Sequence, residues 1–314
     1  MPQSILDTMP TLSMANSGKA DFAQALGESF HRFGFAMVRD HGMDRALIAD
    51  GWEKAEAFFA LPEAAKQTYN AAANGGQRGY TAFGTEIAKD ATENDLKEFW
   101  HVGRDLPAGD PLAATMPPNV WPQEIAGFQD SFTRLYAEFD RVGGLLLSAI
   151  ALYLGLPENW FAEPVHNGNS ILRLLHYPPV SADAPGVRAG AHEDINLITL
   201  LLGAEEGGLQ LLTRDGEWLP VNPPEGALVI NVGDMLQRLT NHMLPSTSHR
   251  VVNPPPDRRG FSRYSMPFFL HLRPDFIIDA LPQCVSADNP RRDPPISAHD
   301  YLRQRLMEIG LIKT

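Results

Sequence analysis

Two histidines and one aspartate have the types and spacing that could hold a metal ion. His192 and Asp194 are two residues apart, so in extended chain both side chains leave the same face. His249 lies later, in an apolar run that ends in Val251 and Val252 and is typical of a strand. Two imidazoles and one carboxylate on one face of an octahedral ion leave three positions open, as in non-haem iron(II) sites, whereas structural zinc more often takes a fourth protein ligand. The pattern favours iron, and the alternative is a set of surface polar residues.

An arginine and a serine at the same spacing could hold an anion. Arg263 and Ser265 share one face of a predicted strand whose remainder, residues 266–270, is apolar. A guanidinium binds a carboxylate through two N–H groups, and a hydroxyl adds a third hydrogen bond. Arg173 and Tyr177 share a face of another predicted strand, and an inward-facing arginine there needs an anion. We therefore expect both arginines to bind carboxylates, the alternative being solvent-facing positions.

Motifs of several other enzyme classes are missing from the sequence. It contains no Gly-x-Ser-x-Gly elbow, no Walker loop and no Gly-x-Gly-x-x-Gly after a strand, which removes the support for serine hydrolysis, P-loop phosphoryl transfer and dinucleotide binding. His192 and Glu193 begin like a zinc-peptidase motif, but Asn196 stands where the second histidine is required. The other histidines lack a same-face partner, and we expect structural or surface roles for His31, His41, His101, His166, His176, His242, His271 and His299.

The candidate residues lie on short predicted strands in the second half of the chain. Runs rich in β-branched residues and leucine alternate with turns after Asn167. The predicted strands cover residues 171–177, 197–202, 209–212, 218–221, 227–232, 247–252 and 262–270. Seven or eight strands at this spacing indicate an antiparallel barrel or jelly roll.

Helices and one strand are predicted around this β region. A helix over 21–33 ends at Gly34, a strand follows over 35–38, and Asp44 is a predicted N-cap of a second helix. Residues 71–110 show no sustained period and are predicted to form long loops. The other predicted helices are a long one from Trp121-Pro122 to 150 and a last one over 297–310.

Composition narrows the possible classes of protein. The chain has 314 residues, 44% hydrophobic and 20% charged, which excludes a disordered chain and a coiled coil. Its net charge of −12, without a basic run, argues against nucleic-acid binding. The single Cys284 fits a reducing compartment. Since the sequence shows no membrane-span pattern and no signal-peptide layout at its start, we expect a cytoplasmic protein without a membrane partner.

Several segments around these residues match a known family. They are FGFAMVRDHG at 33–42, GGLQ at 207–210, NVGDML at 231–236, and Thr240-Asn241 leading to Ser248-His249-Arg250-Val251. With the His-x-Asp, His and Arg-x-Ser residues in order, the chain resembles the isopenicillin N synthase-like family of Fe(II)/2-oxoglutarate-dependent dioxygenases. The resemblance covers most of the chain. It implies an α+β fold with a double-stranded β-helix (jelly-roll) core, flanking helices and an N-terminal α/β segment.

The resemblance also implies roles for individual residues. Those expected to bind Fe(II) are His192, Asp194 and His249, and those expected to bind the 2-oxoglutarate cosubstrate are Arg263, Ser265 and Tyr177. Candidate substrate contacts are Arg173, Tyr80, Leu236 and Phe268. A single domain over 1–314 is expected, with an N-terminal part at 1–165, the jelly-roll core at 166–285 and a C-terminal helix at 286–314.

The implied reaction uses O2 and 2-oxoglutarate to oxidise, most commonly to hydroxylate, a small organic substrate, with release of succinate and CO2. Two alternatives are an Fe(II) oxidase of the same fold that does not use 2-oxoglutarate and a non-catalytic metal-binding jelly roll. This chain departs from the family pattern in two places, Leu175 in place of a frequent asparagine and a longer segment between His249 and Arg263.

Overall fold

The computed structural model describes residues 9–16, 18–70, 76–87, 93–181, 184–203 and 207–308. Its helices are α1 (Ala20–Phe33), α2 (Arg45–Phe59), α3 (Glu63–Gln67), α4 (Phe128–Tyr153), α5 (Asp234–Leu239) and α6 (Ala298–Glu308). Its strands are β1 (Thr11–Ser13), β2 (Phe35–Arg39), β3 (Gly79–Thr81), β4 (Glu98–Gly103), β5 (Ile171–Tyr177), β6 (Ala189–His192), β7 (Ile198–Leu202), β8 (Leu209–Leu212), β9 (Trp218–Pro220), β10 (Leu228–Val232), β11 (His249–Val251), β12 (Arg263–Leu270), β13 (Ile277–Ile278) and β14 (Ile296–Ser297).

Two facing sheets form the jelly-roll core. The larger has the order β1-β2-β10-β7-β12-β5-β4-β3, the smaller has the order β6-β11-β8-β9, and β13 pairs with β14 separately. All strand pairs of the two sheets are antiparallel except β1 with β2. The fold is therefore the predicted α+β jelly roll, with strands from the N-terminal part of the chain extending the larger sheet.

Alternation along the strands gives each sheet two different faces. The outer face of the larger sheet packs on α1, α2 and α4 in one large hydrophobic core. A smaller apolar cluster, which includes Phe35, Phe99 and Leu211, fills part of the space between the sheets. The remaining space between the sheets holds the candidate site.

Local sequence explains where several elements begin and end. Gly34 ends α1 in the left-handed conformation (φ 69°), and its N–H bonds to Phe30 O at 2.8 Å. The side chain of Asp44 caps α2 by accepting a hydrogen bond from the Ala46 amide at 2.9 Å. The predicted start of α4 at Trp121 was wrong, because Gly127 has a φ of 72° and the helix begins only at Phe128.

Two further predictions need correction. The segment 71–110, predicted as loops, contains β3 and β4, while residues 71–75 and 88–92 lie outside the described part of the chain. Every residue of β4 is buried, including Glu98 and His101, so its sequence lacks the alternation of polar and apolar residues that indicates a strand. The small residues Ala189-Gly190-Ala191 of β6 gave no strand signal either.

The last helix is α6, Ala298–Glu308, and the predicted end at 310 lies outside the described residues. Among the described helices, none combines the length and apolar composition that a membrane crossing requires.

Candidate active site

The three predicted metal ligands come together between the sheets. His192 ends β6 and His249 begins β11, and these two residues are paired in the register of the smaller sheet. The Nε2 atom of each histidine lies 3.9 Å from Asp194 Oδ1, and the three ligand atoms lie within 4.8 Å of one another. The Nδ1 atoms of the histidines are 2.7 Å from Gly190 O and 3.2 Å from Thr247 O. These carbonyls accept hydrogen bonds from the Nδ1–H groups, which leaves both Nε2 atoms available as metal ligands.

The Asp194 carboxylate is fixed by two neighbouring strands. Its Oδ2 accepts hydrogen bonds from Thr199 Oγ1 at 2.6 Å and Asn231 Nδ2 at 2.7 Å. Its backbone carbonyl accepts the Asp234 amide at 2.8 Å. With Oδ2 occupied, Oδ1 is the oxygen presented to the two imidazoles. The 231–236 segment thus has a physical role at the site, since both Asn231 and Asp234 hold the candidate ligand.

The pKa shifts of His192 and Asp194 favour the protonation states that bind a divalent ion. Burial, aided by His249, lowers the pKa of His192 to about 4, so its imidazole is neutral near pH 7. Burial would raise the pKa of Asp194, but the two histidines and the hydrogen bonds from Thr199 and Asn231 outweigh it and lower that pKa. Two imidazoles and one carboxylate are the donors that iron(II) takes in sites with open positions.

A small cavity of about 70 Å³ extends from the triad to the predicted anion-binding residues. Arg263 and Ser265 are buried on the inward face of β12, with Arg263 Nη1 3.1 Å from Ser265 Oγ. The Arg263 guanidinium carbon lies 5.0 Å from the centre of the Tyr177 ring, and these two residues are register partners on β12 and β5. Leu175, the departure from the family pattern, lines the same cavity. Three predicted cosubstrate residues therefore meet at one end of it.

A larger cavity of about 1010 Å³ opens on the other side of the triad. The residues that line both cavities are Lys97, Arg173, His192, Asp194 and Phe269. The helix α6 contributes part of the wall through residues such as Leu302 and Leu306. The triad thus lies at the junction of a small cavity that holds the predicted anion-binding residues and a larger one with room for a second molecule.

Arg173 lines both cavities, and the carboxylate that it pairs with belongs to the protein. Its Nη1 and Nη2 atoms donate to Glu86 at 3.2 and 3.1 Å, and its Nε donates to His101 Nε2 at 2.7 Å. The guanidinium carbon lies 4.0 Å from the Phe99 ring centre and 5.3 Å from that of Phe269. Arg173 therefore has its carboxylate within the protein, and its burial does not require one from a ligand.

Charge in this part of the cavity wall is balanced internally. Lys97 Nζ lies 2.9 Å from Glu86 and 2.8 Å from Asp95. Burial opposes the charge of Glu86, yet Arg173 and Lys97 hold the pKa of Glu86 well below its usual range. Burial and the adjacent Arg173 lower the pKa of His101, which remains neutral and donates its Nδ1 proton to Gly76 O at 2.7 Å.

The structure places three of the predicted substrate contacts away from both cavities. Tyr80, Leu236 and Phe268 belong to the large hydrophobic core, each 0% exposed, and line neither cavity. Phe268 stacks on Phe139 of α4 because even-numbered residues of β12 face outward, and the inward aromatic residue is Phe269. The Tyr80 hydroxyl donates to Glu98 on the same outer face.

Sequence reasoning missed four residues that line the larger cavity, namely Glu86, Lys97, His101 and His271. The first three lie in the segment that was predicted to be loops. His271 had a signal, because the inward alternation of Arg263, Ser265, Pro267 and Phe269 continues to it.

Comparison with known proteins agrees with this geometry. The N-terminal family model for non-haem dioxygenases of morphine synthesis matches residues 7–124, and the model of the 2OG-Fe(II) oxygenase superfamily matches 168–272. The chain is 33% identical over 310 residues to the 2-oxoglutarate-Fe(II) type oxidoreductase hxnY of Emericella nidulans, covering 95% of this chain and 88% of that protein.

Two solved structures are similar over nearly their whole length. One is a 2OG-Fe(II) oxygenase family protein of Caulobacter crescentus, 56% identical, with a TM-score of 0.90 and coverage of 96% of this chain and 99% of that one. The other is a full-length Neurospora crassa protein in complex with α-ketoglutarate (2-oxoglutarate), 30% identical, with a TM-score of 0.86 and 95% of each chain covered. The same Neurospora crassa protein has also been solved with thymine. The chain belongs to the Fe(II)/2-oxoglutarate-dependent dioxygenases, and it is an enzyme that uses Fe(II), 2-oxoglutarate and O2.

Proposed function

We propose that His192, Asp194 and His249 hold the iron(II). The observation that carries this assignment is the convergence of one atom from each residue within 4.8 Å, at the junction of two cavities. The backbone carbonyls on the Nδ1 atoms orient both imidazoles, while Thr199 and Asn231 hold the carboxylate so that Asp194 contributes Oδ1. These contacts hold the three side chains in the positions from which they would bind the ion, next to both cavities.

We propose that the small cavity binds 2-oxoglutarate. Its chelating end would reach the iron, and its distal carboxylate would meet the Arg263 guanidinium and the Ser265 hydroxyl beside the Tyr177 ring. When bound, iron and cosubstrate supply the oxidising chemistry, which consumes O2 and releases succinate and CO2. Arg263 and Ser265 hold the cosubstrate in one orientation and exclude water from its distal end.

We propose that the larger cavity binds a small, uncharged polar substrate and that hydroxylation is the reaction. The charges beside the iron support this class, because Arg173 and Lys97 are matched by Glu86 and Asp95. An anionic group would have to compete with Glu86 for Arg173. The thymine complex of the Neurospora crassa protein supports the proposal, because thymine is a small, uncharged ring compound.

The test is succinate release by the purified enzyme with Fe(II) and 2-oxoglutarate. Loss of a charge-assisted bidentate pair costs about 2–5 kcal/mol when the other charge stays buried, so Arg263→Ala should raise KM for 2-oxoglutarate tenfold or more. Arg104→Ala is the matched control, because Arg104 pairs with Asp140 and lines neither cavity. An unchanged KM in Arg263→Ala would remove Arg263 from the cosubstrate site.

We further propose that residues 1–314 act as one domain in the cytoplasm, with no nucleic-acid or membrane partner. Strands from the N-terminal part lie within the larger sheet, the single Cys284 is buried and unpaired with another cysteine, and the net charge is −12.

A further inference from the structure

His271 is a buried histidine whose ring makes no hydrogen bond within the part of the chain that the structure describes. Five described histidines are at least nine-tenths buried. Four of them have a ring nitrogen bonded to a protein group: His41 to Gly226 O, His101 to Gly76 O, His176 to Glu98, and His249 to Thr247 O. His271 lines the larger cavity, so its ring nitrogens can bond to a molecule bound there.

His271 lies in the wall of the larger cavity. It follows Phe269 on the inward side of β12 and lines the larger cavity. Apolar side chains that line the same cavity include Leu272, beside it in sequence, and Leu302 and Leu306 from α6. A few polar groups placed among apolar side chains are the usual means by which a pocket fixes the orientation of a ligand.

The backbone holds this residue rigidly. The His271 amide donates to Ser170 Oγ at 3.1 Å, and the preceding carbonyl, Leu270 O, accepts the Leu197 amide at 2.9 Å. Gly168 packs so closely that an added Cβ would lie 2.1 Å from His271 O. The backbone of His271 therefore has a fixed position, which suits the binding of a ligand in one orientation.

The ring is neutral near pH 7, because burial lowers the pKa of His271 to about 4 against a partial opposing effect of Asp194. A neutral imidazole offers one N–H donor and one acceptor. Hydroxyl, amide and ring-lactam groups complement that pair.

We propose that His271 hydrogen-bonds the primary substrate in the larger cavity and selects compounds with an uncharged hydroxyl, amide or lactam group. This inference rests on the proposed function of that cavity. The paired charges of Arg173, Glu86 and Lys97 do not distinguish one uncharged compound from another. The proposal assigns that choice of substrate to His271.

The experiment compares substrate-stimulated with unstimulated succinate release. The probes are uncharged compounds paired with carboxylates of similar size, namely thymine with orotate, benzamide with benzoate, and benzyl alcohol with phenylacetate. His271→Phe keeps a ring and removes both nitrogens, His271→Asn and His271→Gln each restore a donor and an acceptor, and His166→Phe is an exposed control.

We expect one or more uncharged probes to stimulate the wild-type enzyme. For such a probe, His271→Phe should lose roughly ten- to a hundredfold in kcat/KM, and Asn or Gln should recover most of it. The urea unfolding midpoint of His271→Phe should match that of the wild type, which separates a loss of recognition from a folding defect.

Stimulation by the acids alone, by none of the six probes, or equally in wild type and His271→Phe would overturn the proposal. If the wild-type enzyme forms no succinate with Fe(II) and 2-oxoglutarate at all, the proposed function fails first. The unstimulated rate therefore separates the two failures.

Discussion

The two faces of strands β4, β5 and β12 bury polar groups in different ways. On the outer face, Glu98 accepts hydrogen bonds from Lys66 at 2.6 Å, from His176 Nδ1 at 2.7 Å and from the Tyr80 hydroxyl. His176 Nε2 lies 3.0 Å from Ser262 Oγ, which completes the network. This outer network is closed, since each partner comes from the protein.

The inward face buries comparable groups and leaves positions open. Arg173 is satisfied by Glu86 and His101, whereas His271 has a ring without a described partner and the triad presents three donor atoms to one point. Burial of polar groups alone therefore does not indicate function here. The distinction lies in whether the network closes within the chain or leaves donors for a ligand.

The largest expected difference between the faces is in catalysis. Asp194→Ala removes the carboxylate between the two imidazoles and should reduce iron retention and turnover by more than about a hundredfold. Loss of a residue that only hydrogen-bonds a metal ligand typically costs less than this. The fold should persist, because Thr199 and Asn231 keep their strand pairing. Iron per chain is measured by metal analysis, and an iron content equal to wild type would contradict the triad. Glu98→Gln, on the outer face, is the control and should retain both iron and turnover.

The outer network should instead dominate stability. Glu98→Ala leaves Lys66, 8% exposed in its side chain, with the more exposed Glu63 as its remaining acidic partner among the described residues. Breaking a buried pair from one side costs about 3–5 kcal/mol, so the free energy of unfolding in urea should fall by that amount. KM for 2-oxoglutarate, measured below the unfolding transition, should not change. A large rise in that KM would show that the two faces are not independent.

Substitutions of Arg173 and Glu86 should reduce the free energy of unfolding by less than Glu98→Ala does, and a double-mutant cycle measures how the two residues are coupled. Each single change, Arg173→Leu or Glu86→Gln, should cost about 1–3 kcal/mol of stability, since a buried charged group loses part of its hydrogen bonding. Lys97 remains beside Glu86 at 2.9 Å and limits the loss in Arg173→Leu. The double variant should be less destabilised than the sum of the two. Strict additivity would mean that the contacts at 3.1 and 3.2 Å contribute no coupling.

The same comparison explains what the sequence could predict. Strands with one apolar face or a β-branched run, such as β8 and β12, were predicted within one residue of their bounds. The triad was predicted because its histidines and aspartate lie on or beside such strands. In β4, by contrast, Glu98 and His101 are buried on opposite faces by partners distant in sequence, so the strand looked like a polar loop.

Substrate contacts were the least predictable part of the site. Phe268 and Phe269 lie on opposite faces of β12. Because both are phenylalanine, the sequence does not indicate which of them faces the cavities. Glu86 could not be assigned to Arg173 because the pair is formed by tertiary contact alone. Alternation from Arg263 does extend to His271, but only the structure shows that this ring lacks a partner among the described residues.

The smallest expected effect is a pH dependence of stability from the outer network. Burial would raise the pKa of Glu98, but hydrogen bonds from His176, Lys66 and Tyr80 outweigh it and lower that pKa below its ordinary value of 4.5. A carboxyl with a lower pKa in the folded state stabilises fully above its unfolded pKa, and this contribution is lost as pH falls through the folded value.

In urea unfolding, the wild type should have a larger free energy of unfolding than Glu98→Gln. This difference should be constant between about pH 6 and 8 and should shrink as pH falls below about 4.5. The glutamine variant is the matched control, because its side chain has the same shape and does not titrate. Curves that stay parallel down to acid unfolding would mean that the Glu98 carboxylate is no more favoured in the folded chain than in the unfolded one. The closed network would then be held by packing around His176 and Tyr264, whose rings stack at 4.7 Å, rather than by charge.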